Sequence, residues 1–208
     1  IGNGSTAAQI ISSLAKDNID VTMFLRTPQW VFPLPDRKYT AIERKLTRWF
    51  PALARFGHAF YRVAFENLFA KAVIQSGWQR NLMGWACRRN LKTVRDPALR
   101  ERLTPDFEPL CKRLVMSTTY YDAVQQHNVT IADGNIEKID ANKVFTKDGN
   151  THELDVLVMA TGYDAHAYFR PMNMTNAQGV SLDDIWKDGP YALRTVAVPG
   201  FPNFFFTL

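Results

Sequence analysis

The chain has 208 residues, 46% hydrophobic and 22% charged, with a net charge of +5, a balance that excludes a disordered or fibrous chain and allows one sizeable core or two small ones. No apolar run approaches the roughly 20 residues of a membrane-spanning helix, and no basic stretch with an apolar core marks a leader peptide, so a cytoplasmic protein is expected. Only two cysteines are present, Cys87 and Cys111; they are too far apart for a redox Cys-x-x-Cys pair or a cysteine-based zinc cluster.

In chain order, Gly2-Asn3-Gly4-Ser5-Thr6-Ala7 forms a G-x-G-x-x-A pattern, which belongs between the first strand of a βαβ unit and the helix behind it. Ile1 leaves no room for that strand, and the apolar segment Phe204–Leu208 reads as a poor exposed tail, so a segment of a longer chain is expected. Ala8, Ile11, Leu14 and Ala15 recur at helical spacing, Asn18 closes the helix, and residues 20–25 alternate as a strand. Arg26-Thr27-Pro28-Gln29-Trp30 leaves that strand, and Pro28, Pro33 and Pro35 interrupt regular structure.

From Ala41 to Val73 the pattern is helical, with Ile42, Leu46, Trp49, Leu53, Phe56, Phe60 and Val63 on one face. Arg44, Arg48, Arg55 and Arg62 fall within about 40° of one another on the opposite face, at about 100° per residue, and Pro51 is expected to kink or split the helix. A second helical stretch covers Gly77 to Leu103. This excursion is too long for a simple crossover between parallel strands and reads as an insertion. The next strand candidate is 114–116; short strands then follow at 129–131, 136–139, 144–146 and 151–154, with Asp148-Gly149 as a hairpin turn, making a small antiparallel meander. Residues 155–160 form a nearly continuous apolar run, expected to be a parallel strand buried on both faces and ended by Thr161-Gly162-Tyr163-Asp164.

The chemistry rests on the glycines and on the residues at the end of the second strand. Gly2 permits a tight turn, Gly4 lets the backbone approach a pyrophosphate, Ala7 lets the helix pack close to the sheet, and the helix N-terminus offers free N–H groups to phosphate. An NAD-specific site carries an acidic residue at the tip of the second strand; here that tip is Arg26-Thr27, and a guanidinium with a hydroxyl suits a 2′-phosphate. NADPH is therefore the expected nucleotide. The four histidines, His58, His127, His152 and His166, have no metal-ligand spacing, and no Ser/His/Asp set or carboxylate pair supports hydrolysis.

Gly2–Ala7, Arg26–Trp30, Leu103-Thr104-Pro105-Asp106, Cys111-Lys112-Arg113, Ala160–Asp164 and the closing Gly200-Phe201-Pro202-Asn203 together resemble the NADPH domain of the flavin-dependent Baeyer–Villiger monooxygenases, within the flavin-containing monooxygenase group. The resemblance runs in order along essentially the whole chain. It implies that Arg26, Thr27 and Lys112 hold the 2′-phosphate, with Gly2, Gly4, Ser5, Thr6 and Ala7 at the pyrophosphate. It also implies that Arg113 is the catalytic arginine beside the flavin, stabilising a peroxyflavin formed with O2, and that Ala160-Thr161-Gly162 is the crossing back towards an FAD domain. A buried anionic oxygen adduct needs a fixed positive charge, which guanidinium keeps at any working pH. Leu110 departs from the family, whose members usually carry Gly there, a residue that would serve close cofactor approach.

The fold expected is α/β: a Rossmann-like doubly wound NADPH-binding domain with a helical insertion and a meander, part of a flavoprotein with two dinucleotide-binding domains. Residues 1–35 and 109–160 make the NADPH-binding domain, 36–108 the insertion, and 161–208 the return towards the FAD-binding domain. The implied reaction uses NADPH, FAD and O2 to insert oxygen into a ketone, the alternative being oxygenation of a soft nitrogen or sulfur in a small organic substrate. A different class, a basic membrane-surface or interaction module, is prompted by residues 41–73; packing of their aromatic face on the chain's own domain is the favoured alternative. Nucleic-acid binding is not expected, since no interleaved aromatics or known motif accompany the arginines.

Overall fold

The computed structural model describes residues 1–164 and 167–206, and the chain divides into two compact units, Ile1–Thr161 and Gly162–Leu208. In the first unit, α1 (Ser5–Leu14) turns Ala7, Ala8 and Ile11 inward, the face predicted by their spacing. Asn18, with φ +55°, ends the turn after it, a conformation that Asn tolerates better than most residues. β1 (Val21–Leu25) then pairs in parallel with β4 (Val129–Asp133), Val21 opposite Val129 and Leu25 opposite Asp133. β2 (Val31–Phe32) pairs in parallel with β3 (Val115–Met116). The main core gathers Ala8 and Ile11 of α1, Met23 and Leu25 of β1, Trp30, Val31, Val115 and Tyr120.

The excursion between β2 and β3 is helical, as its periodicity predicts. α2 (Ala41–Trp49) starts with a capping box in which the Thr40 side chain accepts from the Glu43 N–H while the Glu43 carboxylate accepts from the Thr40 N–H. Two backbone donors are thereby satisfied at the helix start. The chain breaks at Phe50, and Pro51 opens α3 (Pro51–Phe65), a position where its missing N–H costs nothing. A π turn follows at Glu66–Ala70, then α4 (Lys71–Ile74). α5 (Trp78–Leu91) buries Met83, Gly84, Cys87 and Leu91. α6 (Pro97–Arg102) is capped by the Asp96 carboxylate, which accepts from the N–H groups of Ala98 and Leu99. Neither α2 nor α3 buries a single residue, and among the described residues nothing covers their aromatic face. The surrounding elements of the first unit pack against Leu68, Phe69 and Ala72 instead.

After β3 come α7 (Tyr120–Ala123), β4, and an antiparallel meander of β5 (Ile136–Asp140), β6 (Lys143–Thr146) and β7 (Thr151–Glu153). The hairpin turn at Asp148-Gly149 forms as predicted: Asp148 accepts from the Thr146 hydroxyl and the Asn150 N–H, and Gly149 has φ +85°. Residues 155–160 differ from expectation, forming no regular strand. The Ile1 nitrogen donates to the Val158 carbonyl at 2.7 Å and the Ala160 N–H donates to the Ile1 carbonyl at 2.9 Å, the staggered pattern of a parallel pair. The described residues provide that neighbour on one side only, and Val156 and Met159 stay 77% and 61% exposed. Two covered faces, which the apolar run implied, are therefore absent here.

The second unit gathers Leu182 of α8 (Leu182–Ile185), Val198 and Phe201 in its own small core, with Phe169, Trp186, Phe204 and Phe206 packed against it. The end of the chain predicted to be a poor exposed tail is thus partly buried at Phe204 and Phe206; Thr207 and Leu208 lie outside the described residues, as does His166. Among the described residues no helix is long and apolar enough to cross a membrane.

Candidate functional site

The site is built where β1 ends and α1 begins. Gly2 has φ +108°, and a Cβ there would collide with the Ala160 carbonyl oxygen, so no L side chain is accommodated. Gly4 is the N-cap of α1 and provides no side-chain cap. A Cβ on Gly4 would meet no atom within 4 Å, which means the backbone there is open to an incoming group. The first-turn N–H groups of Ser5, Thr6 and Ala7 have no intrahelical partner by geometry; the earliest helical bond runs from the Ala8 N–H to the Gly4 carbonyl at 3.0 Å. Partial positive charge is consequently presented at an uncovered helix end.

Asn3 fixes this turn to the second strand: its side-chain amide donates to the Thr27 carbonyl. Arg26, at the tip of β1, is exposed, and no ion pair holds it among the described residues. The exit of β4 crosses close by, where the Gly134 N–H donates to the Leu25 carbonyl at 3.0 Å and a Cβ on Gly134 would strike the Leu25–Arg26 backbone. Gly134 was missed by the sequence reading; its position immediately after strand residues 129–133, in Asp133-Gly134, is the signal of a close backbone approach.

Lys112 and Arg113 are exposed on the segment entering β3. The Lys112 ammonium lies 4.3 Å from the centre of the Phe107 ring, and the buried Trp30 indole donates to the Phe107 carbonyl at 2.6 Å. The Val115 N–H in turn donates to the Trp30 carbonyl at 3.0 Å. Trp30 therefore anchors the Lys112 segment to the chain that follows Arg26-Thr27. Leu110 adopts φ +72°, the left-handed conformation that favours glycine, and its side chain packs with Ala72 and Met83. Leu110 thus takes a glycine-like backbone conformation while contributing an apolar contact to that cluster.

Gly2 thus lies against Ala160 and Asn3 is bonded to Thr27, with Gly4 next in the turn and Arg26 beside Thr27 in the chain. Thr161 is exposed at the end of the first unit, and Gly162, with φ +88°, begins the second. Among the described residues no group of three or more His, Cys, Asp or Glu side chains could hold a metal ion. Burial pushes the Cys87 thiol up to about 11, removing it from thiolate chemistry near neutral pH.

No family model matches the chain. An uncharacterised monooxygenase of Mycobacterium tuberculosis is 48% identical over all of the chain and 42% of its own length. A Baeyer–Villiger monooxygenase of Streptomyces coelicolor is 33% identical over 98% of the chain and 39% of its own length. The chain is similar in sequence to Baeyer–Villiger monooxygenases over nearly its whole length. It spans about two fifths of the length of the curated relatives it matches. A crystal structure of OTEMO in complex with FAD and NADP superposes with TM-score 0.79 at 24% identity, covering 98% of the chain and 45% of OTEMO. A cyclohexanone-bound cyclohexanone monooxygenase superposes with TM-score 0.77 at 25% identity, covering 98% of the chain and 47% of that protein. The likeness to known monooxygenases thus extends from sequence to fold.

Proposed function

We propose that this chain is the NADPH-binding part of an FAD-dependent monooxygenase that inserts one oxygen atom from O2 into a ketone. The parallel pairs β1–β4 and β2–β3 then belong to a Rossmann-like sheet, with residues 36–108 inserted into it and residues 161–208 returning towards an FAD-binding domain. The observation that carries the reading is the open glycine turn, tied through Asn3 to the end of β1 beside an exposed Arg26 that no ion pair holds among the described residues.

The residues present fit the nucleotide. Free N–H groups of Ser5, Thr6 and Ala7 would receive the pyrophosphate, and the open space over Gly4 admits it. Arg26 and the Thr27 hydroxyl would hold the 2′-phosphate, with Lys112 as a third, flexible contact. When bound, NADPH supplies a hydride to FAD, and the reduced flavin supplies the electrons for oxygen transfer. Arg113 contributes a charge that no proton exchange can remove, suited to stabilising negative charge at the reacting centre. Ala160, Thr161 and Gly162 form the crossing, where the Ala160 carbonyl restricts position 2 to glycine.

Product analysis of the full-length protein, supplied with NADPH, O2, a cyclic ketone and a thioether, tests this. Lactone containing one atom from labelled O2 is expected. Sulfoxide without any ester or lactone would reject ketone oxidation, and absence of NADPH oxidation by the FAD-loaded protein would reject the whole assignment.

A further inference from the structure

The helical excursion carries a surface that the coenzyme reading does not use and on which it does not depend. Ile42, Trp49, Phe56 and Phe60 are 71%, 72%, 75% and 63% exposed, and α2 and α3 bury no residue at all. Exposed apolar side chains scattered singly are ordinary, but an exposed aromatic face on each of two successive helices is not. On the other side of each helix, at about 100° per residue, lie Arg44 and Arg48 of α2 and Arg55 and Arg62 of α3. Residues 37–62 hold seven basic residues and one acidic residue; the whole chain has a net charge of +5, so everything outside this stretch sums to −1. The positive excess therefore accompanies the apolar face and is not spread over the molecule.

We infer that the face formed by α2 and α3 docks on an anionic lipid surface. Trp and Phe beside Ile and Leu on one face, with arginines on the other, are the composition of a helix lying in the headgroup region. The arginines need not touch lipid. An interfacial helix sinks its apolar face about 5–10 Å into the headgroup boundary, which, for a helix about 10–12 Å across, brings charge on the far side to within the Debye length of about 8 Å. Long guanidinium side chains can also reach back towards it. The capping box at Thr40 and the Arg37–Glu43 ion pair hold the start of α2, so the surface is formed before docking and no folding step is needed. Nucleic acid would engage the cations and leave the apolar face uncovered. An acidic protein partner would need negative charge and a matching apolar groove together, whereas an anionic bilayer offers both chemistries at once.

Flotation of the full-length protein with phosphatidylcholine vesicles, with and without phosphatidylserine, tests the inference. Binding is expected only with phosphatidylserine and should fall as salt is raised. Each basic residue near such a surface contributes up to about fivefold in binding, from about 1 kcal/mol each, so Arg44→Gln, Arg48→Gln and Arg55→Gln together should reduce it about 10- to 100-fold. Trp49→Ser with Phe56→Ser should abolish flotation while leaving the melting temperature unchanged, since both side chains are exposed. Equal binding to pure phosphatidylcholine, or binding that survives both sets of substitutions, would overturn the proposal. Failure to float, together with a lower melting temperature in the Trp49/Phe56 variant, would assign the face to other parts of the same protein and overturn it equally. A dimer that does not float and dissociates in that variant would assign the face to a second copy and do the same.

Discussion

Truncating Arg26 to alanine should separate recognition of the coenzyme phosphate from everything else the site does. Arg26 is exposed and has no ion pair among the described residues, so its loss breaks no internal contact and unfolding free energy should stay within about 0.5 kcal/mol of the parent. The backbone donors at the start of α1 and the Asn3 bond to the Thr27 carbonyl are untouched, so contacts common to both nicotinamide coenzymes remain. The loss is confined to a charge-assisted contact to a phosphate, worth about 1.5–3 kcal/mol, or roughly 10- to 150-fold in affinity. Solvent exposure of Arg26 favours the lower part of that range. Calorimetric titration of the full-length variant should therefore show NADPH weakened at least about tenfold and NADH changed by less than about twofold. Equal weakening of both coenzymes, with the fold intact, would refute the phosphate assignment.

Trp30→Phe leaves the Phe107 carbonyl without its indole donor; a loss of about 1–2 kcal/mol in urea unfolding is expected, with faster amide exchange over residues 104–112. Gly134→Ala places a methyl group against the Leu25–Arg26 backbone and should cost about 1–3 kcal/mol. Gly57→Ala, in α3 where an added Cβ meets nothing, is the control and should stabilise by about 0.5–1 kcal/mol. Arg113→Ala should retain its fold and flavin yet lose oxygenation by at least about 100-fold, measured as product per NADPH consumed; full oxygenation by that variant would remove the role assigned to Arg113. The Glu43 carboxyl is lowered from 4.5 to about 2 by its hydrogen bond to Arg37 and by those to Thr40. Its folded value lies below its unfolded one, so its support of α2 is complete above about 4.5 and is lost as pH falls towards about 2. Helix content followed by circular dichroism should show that step, and Glu43→Gln should lack it.

Much of this architecture was legible because periodicity and turn chemistry report local geometry. The apolar spacing of Ala8 and Ile11, the Asp148-Gly149 turn and the proline at position 51 all specified elements that the structure contains. Gly2 was readable as a tight turn, but not its reason for excluding a side chain, because the obstructing Ala160 carbonyl is 158 residues away. Gly134 escaped for the same reason: its clash partner is the backbone of a strand more than a hundred residues earlier. Residues 155–160 misled because an apolar run reports a preference for burial, and burial also requires neighbours on both sides. Arg26, Lys112 and Arg113 could be named only through ordered resemblance, since an exposed cation leaves no periodic trace. The aromatic face of α2 and α3 was readable as amphipathic, but periodicity does not say what covers it.

The π turn at Glu66–Ala70 has an orienting consequence. In α3 the apolar line runs through Leu53, Phe56, Phe60 and Val63, and uninterrupted winding would carry it to positions 67 and 71. The side chains that meet the interior are one place later, at Leu68 and Ala72, and a π turn absorbs one such extra residue, about 100° of rotation. A single stripe thereby passes from the interior at one end of the rod to solvent at the other without changing sides. Removing one residue from that turn would swivel the outer helices like a key in a lock, aiming the same aromatic surface elsewhere without altering any of its side chains.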